Sequence, residues 1–283
     1  MKLKLASLAI AILFTLGTAS ATVVGNLGVG SAAGVNATIT SLTFLPDPSA
    51  TPPGPPWDGE VNNQTNLMFN GGPLNVTEGV EINQNTPFVA GSTTLPEDYF
   101  FRFAAHPLLD FELTGVSPST AFNTSGNPSD CAAVDASGVG SCSLNIAGTL
   151  SPVVLAISGT TSTIASIHFV GMASDTGSIG AGASAWSGSF SPTITQSNCG
   201  IAGNSVCTPD QIALYFCPDY NTANMCTAAD VAAFGSKVLA ITSNSGSFQV
   251  TATPEPGTMA SIFIGAGLIA LGTRTRRRRR QNV

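Results

Sequence analysis

Residues 98–116 read DYFFRFAAHPLLDFELTGV. Two runs, 98–104 and 108–116, alternate apolar and polar side chains and flank a turn at His106-Pro107. A period of two is the mark of a strand with one face buried and the other wet. Outward from this pair the same signature recurs at 35–45 (VNATITSLTFL), 87–90, 143–150, 153–157, 163–170, 185–196 (AWSGSFSPTITQ) and 246–253 (GSFQVTAT). Gly, Pro and Asn separate the runs, and the Pro-rich stretch 47–59 (DPSATPPGPPWDG) is a loop. Many short strands with turn signals predict an all-β fold, a jelly-roll-like β-sandwich. Its expected core is Phe100, Phe103, Leu108, Phe111, Leu113, Ile167, Phe169, Trp186 and Phe190.

Two short helices are expected near the end of this domain. Thr208-Pro209-Asp210 gives a cap, a proline in the first turn and an acid, with 211–216 continuing the helix. Thr227-Ala-Ala-Asp230 resembles a capping box, and Val231, Phe234 and Val238 follow at helical spacing.

Charge is distributed unevenly. Charged residues make up 9% of the 283-residue chain. Between Thr22 and Thr253 fifteen acidic residues face two basic ones, Arg102 and Lys237, a net charge near −13. Nucleic-acid binding requires Lys and Arg to displace phosphate counterions, so this domain is excluded from that class. The acidity suits divalent cations or colloidal solubility.

The two ends differ from the middle. Lys2 and Lys4 precede an apolar stretch, 5–16, and Ala19-Ser20-Ala21 forms a small-residue cleavage signature. Residues 1–21 are therefore expected to be an export signal that signal peptidase cuts between Ala21 and Thr22. At the other end Pro254-Glu255-Pro256 precedes an uncharged apolar segment, with a transmembrane helix expected at about 258–272, and then an Arg cluster at 274–280. Fourteen or fifteen apolar residues are short for a span, but snorkelling arginines extend it. The positive-inside rule leaves the arginines cytoplasmic and residues 22–253 outside.

This order at 254–283 resembles the PEP-CTERM sorting signal of Gram-negative bacteria. The resemblance implies recognition of Pro254, Glu255 and Pro256 by exosortase, a membrane-embedded protease. It further implies cleavage near that motif after transient membrane anchorage, and a role linked to exopolysaccharide and biofilm at the cell surface or in the extracellular matrix.

Cys131, Cys142, Cys199, Cys207, Cys217 and Cys226 form an even set, and an exported chain favours disulfides. Six cysteines allow fifteen connectivities. Proximity in sequence favours 131–142, 199–207 and 217–226. A metal cluster is disfavoured by the lack of C-x-x-C and by the presence of only two histidines, His106 and His168.

Catalytic signatures are weak. G-x-S-x-G, H-E-x-x-H and phosphate-loop patterns do not occur. Acid pairs stand at Glu78/Glu81, Glu97/Asp98 and Asp110/Glu112. The last pair shares a strand face, which is either half of a glycosidase pair or an exposed polar face. Residues 219–230 resemble a single calcium loop of EF-hand or dockerin type, with Asp219, Asn221, Thr227 and Asp230 as candidate ligands. Ala223 and Asn224 depart from that pattern, and the alternative is a plain capped disulfide loop. The leading expectation is a non-enzymatic, exosortase-processed surface or matrix protein without a resident cofactor. The alternatives are a carbohydrate-binding sandwich using Trp57 or Trp186, and a secreted glycan hydrolase using paired carboxylates.

Overall fold

The structure, a computed structural model, describes residues 23–31, 34–39, 41–52, 56–82, 86–87, 97–159, 162–177, 182–194, 207–241 and 244–251. The expected export signal, the Pro-Glu-Pro motif, the apolar tail and the Arg cluster lie outside them. The first strands are β1 (Gly25–Ser31), β2 (Val35–Ala37), β3 (Ser41–Phe44), β4 (Gly59–Val61), β5 (Gly79–Ile82), β6 (Thr86–Pro87), β7 (Glu97–Phe103) and β8 (Leu109–Val116). Helix α1 (Cys131–Ser137) follows, then β9 (Ser141–Cys142), β10 (Asn145–Ile146), β11 (Thr149–Leu150), β12 (Val154–Ser158), β13 (Ser162–Asp175), β14 (Ser184–Phe190) and β15 (Thr193–Ile194). Helices α2 (Pro209–Phe216), α3 (Tyr220–Ala223) and α4 (Ala228–Phe234) precede β16 (Leu239–Ile241) and β17 (Asn244–Thr251).

The fold is mostly β, as the alternation predicts, but it closes where a sandwich would stay open. Strands pair in the order β14-β17-β1-β4-β5-β7-β8-β13, and β13 pairs back onto β14. All these pairings are antiparallel, so eight strands make a closed barrel. The reason lies in the inward side chains. Phe100, Phe101, Phe103, Phe111, Phe169, Trp186, Phe190 and Phe248 are each at most 2% exposed. A cylinder of eight strands has an interior just wide enough to be filled by side chains. Trp186 lies flat on Phe100, with ring centroids 5.7 Å apart at 9°, and meets Phe248 edge-on at 5.6 Å.

Room for these rings comes from glycine. A β-carbon at Gly171 would fall 2.4 Å from the Trp186 ring and on top of the Glu112 carbonyl. A β-carbon at Gly246 would fall 2.6 Å from Phe248 and 2.8 Å from Phe190. The Trp186 indole N–H donates to the Glu112 carbonyl at 3.1 Å, beside the register shift at Val170/Gly171 between β8 and β13. Phe100 and Phe101 are consecutive yet both buried; β7 slips register between Glu97 and Phe101, which breaks strict alternation.

The outer face is polar. Along β17, buried Gly246, Phe248 and Val250 alternate with exposed Ser245, Ser247, Gln249 and Thr251. Apolar-in and polar-out is the reverse of a barrel that faces lipid. Among the described residues no helix is long and apolar enough to cross a membrane.

β13 runs past the barrel. Residues 167–175 belong to the barrel, while 162–166 pair with β12 and 163–164 with β15. Around this extension α1, α2 and the half-cystines build a second core with Leu144, Leu155, Ile194, Ile212 and Phe216. The small sheet β16-β2-β3-β6 joins the two cores: Val35, Leu42 and Phe44 lie in the first, Leu239 and Ile241 in the second. This second unit caps one mouth of the barrel. At the other, the upper mouth, sit Gly25, Thr251, Ala185, Asp175 and Leu109.

Several expectations need correction. Leu108 is 54% exposed, because the turn at 106–108 ends before β8 begins. Residues 143–150 are a hairpin and not one strand: Ala147 and Gly148 both have positive φ (49° and 93°), the signature of a two-residue turn. The two expected helices are α2 and α4, each with both capping-box bonds present, but α4 stops at Phe234 and Val238 is exposed. Helix α1 was not expected, although Asp130 caps it and Gly138 ends it at φ 67°.

Gly171→Ala should destabilise the barrel by about 2–3 kcal/mol, since the added methyl group meets backbone and an indole that cannot yield. Leu108→Ala should stay within about 0.5 kcal/mol of the parent. Urea unfolding of the two variants measures both.

Candidate functional site

The upper mouth brings together a histidine and two buried acids. Two recesses share Ala105. The first, about 260 Å³, is lined by Phe69, Asn70, His106, Leu108, Asp175 and Gly177 among others. The second, about 280 Å³, lies against Thr51, Asn75, Val76, Thr77 and Glu78.

Glu78 stands between them, 3% exposed. One carboxylate oxygen accepts from the Ala105 N–H at 3.0 Å, the other from the Asn75 N–H at 3.2 Å. His106 Nε2 lies 3.7 Å from Glu78 Oε2, and the Phe69 ring meets the imidazole edge-on at 4.9 Å. Asp175, 5% exposed, accepts from the Asn70 and Gly177 N–H groups at 3.0 and 3.1 Å. Both acids thus tie loops together through backbone amides, an arrangement that stabilises a buried carboxylate. No described residue lining the His106 recess carries a hydroxyl or thiol.

The remaining candidates are dispersed. His168 is exposed on the outer face of β13, opposite Ser189. Asp110 and Glu112 do share one face of β8, the outer one, while Leu109, Phe111 and Leu113 point inward. Glu81 is paired off: it accepts from the Tyr99 hydroxyl at 3.1 Å, beside Arg102, whose guanidinium sits 3.5 Å above the Tyr99 ring. Burial raises the Glu60 carboxyl above its ordinary value, Asp47 adds to this, and a hydrogen bond from Ser49 opposes it. Trp186 lies inside the barrel, 2% exposed, so it cannot present a face to sugar. Trp57 is half-buried and covers Gly79.

In the cap, Cys131–Cys142 and Cys217–Cys226 are disulfides, with Cα–Cα distances of 5.2 and 5.4 Å. Cys207 is disulfide-bonded too; its expected partner Cys199 lies outside the described residues. Of the calcium candidates, Thr227 and Asp230 are brought together by the capping box. The Thr227 hydroxyl donates to Asp230 Oδ2 at 2.8 Å and accepts from the Asp230 N–H at 3.1 Å. Asp219 precedes the one-turn helix α3, and Asn221 lies within it. Among the described residues no group of three or more His, Cys, Asp or Glu is placed to hold a metal ion.

Tyr220, between the disulfides, was not expected to matter. It is fully buried; its hydroxyl donates to the Ser129 carbonyl at 2.8 Å and accepts from the Asn145 N–H at 3.2 Å. Burial pushes the phenol up to about 12. Its only sequence signal was its place in a short loop between Cys217 and Cys226.

The chain matches no protein-family model, no curated protein and no solved structure.

A folded-state value above the ordinary ~10 means the neutral phenol is favoured by folding. That contribution is complete below pH ~10 and is lost as the pH climbs towards 12, because the unfolded chain ionises first. Tyr220→Phe should cost about 1 kcal/mol at neutral pH and flatten the alkaline fall in stability. Denaturant titrations between pH 7 and 11 measure both effects.

Proposed function

We propose that this is an exported, non-enzymatic envelope protein, held briefly by its C-terminal tail, processed by exosortase at Pro254–Pro256, and kept at the cell surface or in the extracellular polysaccharide matrix. The observation that carries this reading is the burial of the half-cystines. Cys131, Cys142, Cys207, Cys217 and Cys226 are 0% exposed and sit inside the second core. A core built around cystine needs an oxidising compartment, which agrees with the export signature at 1–21.

A structural role is favoured over catalysis by the outward position of Asp110 and Glu112 and by the engagement of Glu78 and Asp175 with backbone amides. It is favoured over sugar binding through tryptophan by the enclosure of Trp186 in the barrel. The acidic, almost lysine-free domain keeps the protein apart from nucleic acid and soluble beside other anionic matrix components.

In a Gram-negative host that supplies exosortase, the protein recovered should begin at Thr22, lack the Arg cluster, and contain no free thiol by alkylation and intact mass. Replacing Glu255 with Ala should leave the tail attached and the protein in the membrane fraction. A cytoplasmic product with Met1, Arg280 and reduced thiols would overturn the reading. Loss of the 131–142 bridge through Cys131→Ala and Cys142→Ala should lower stability by about 2–3 kcal/mol, read from urea unfolding.

A further inference from the structure

We infer that the upper mouth of the barrel rests on a zwitterionic lipid surface while the tail is inserted, with Met68, Val76 and Leu108 as its contact residues. The inference rests on the reading of residues 258–272 as a membrane span.

Three observations converge. Among the described residues six large apolar side chains are exposed, and three of them, Met68 (69%), Val76 (58%) and Leu108 (54%), belong to this one rim. Met68 pairs with Val24 next to the start of β1, while Leu108 and Val76 line the two recesses that share Ala105. An exposed apolar group of this kind on an otherwise polar barrel marks an interaction surface.

The chain also leaves the barrel here. Thr251, the last residue of β17, pairs with Ala185 at the upper mouth. Only six residues lie between Thr251 and Thr258. A chain of that length spans at most about 25 Å from Thr251 to Thr258. Whatever holds the tail therefore holds this mouth close by, at a high effective concentration. The start of the described chain, Val23–Gly25, lies at the same mouth, so the disulfide cap points away from the bilayer.

Charge selects the lipid. The two acids that line the recesses, Glu78 and Asp175, are buried and bound by amides, and neither of the domain's basic residues lines them. Nothing there attracts anionic headgroups, so the contact is apolar and insensitive to salt.

The full chain in phosphatidylcholine nanodiscs tests this. A fluorophore that reports polarity is attached at Leu108→Cys and, for comparison, at Phe122→Cys on the cap, where Phe122 is 76% exposed. The expected result is a blue shift at 108, quenching there by spin-labelled lipid, and shielding from iodide, with the probe at 122 fully open to iodide. These differences should persist in 0.5 M salt and disappear when Met68→Ser and Val76→Ser are added, with near-ultraviolet circular dichroism unchanged. Equal iodide access at 108 and 122, with the tail protected from protease, would overturn the inference and leave the anchorage intact. A tail open to protease in the same discs would overturn the anchorage and the inference together.

Discussion

The closure of β13 onto β14 is the constraint on which the molecule depends. From Ile167↔Phe190 to Ala173↔Ser184 the two strands complete a ring that would otherwise leave two long edges. Closure fixes the volume of the interior, and the interior is aromatic. Trp186 touches Phe100, Phe101, Phe111 and Phe248, so one indole couples β14 to β7, β8 and β17 at once. Inward glycines at 171 and 246 are the counterpart of those rings. Aromatic pairs at 5–6 Å add modestly to area burial, by about 0.5–1.5 kcal/mol each, but they also fix which strand faces which.

The cap follows a different rule. Its helices are seven, eight, four and seven residues long, too short to be stable alone. Its strands are mostly two-residue bridges. What replaces length is covalent closure of short loops and polar anchoring to buried backbone. Tyr220 ties Ser129 to Asn145, the Thr163 hydroxyl donates to the Cys207 carbonyl at 2.6 Å, and Ile146 bridges to Cys226. The barrel is a hydrophobic structure that any compartment would allow; the cap depends on oxidation. The division is what the export proposed from the termini would require.

Legibility in the sequence tracked how local the determining physics was. Strands β7, β8, β13, β14 and β17 were visible because alternation is a property of neighbours, and α2 and α4 because a capping box spans four residues. Closure was not visible, since β1 at 25–31 (GNLGVGS) and β4 and β5 are short or glycine-rich and carry little period-two signal. Without them eight strands look like fewer, and a sandwich is the natural inference. Leu108 was misplaced by a single residue of register, enough to move it from core to rim. The pairings 131–142 and 217–226 were readable from proximity, because a loop of ten residues is readily closed. The grouping of Glu78, His106 and Asp175 was not, since it joins three loops separated by up to 97 residues in the sequence.

The molecule therefore has a direction. Disulfides, short helices and the exposed Phe122 and Val139 lie at one end of the barrel; both described chain ends, Glu78 and Asp175, and the apolar rim lie at the other. The last described strand, β17, is held on both sides, by β1 and by β14, so Thr251 is a fixed point of the barrel. In the processing proposed above, Pro254-Glu255-Pro256 lies three to five positions in sequence after that fixed point. On that proposal, loosening β17 from β14 is expected to change processing without changing a residue of the motif.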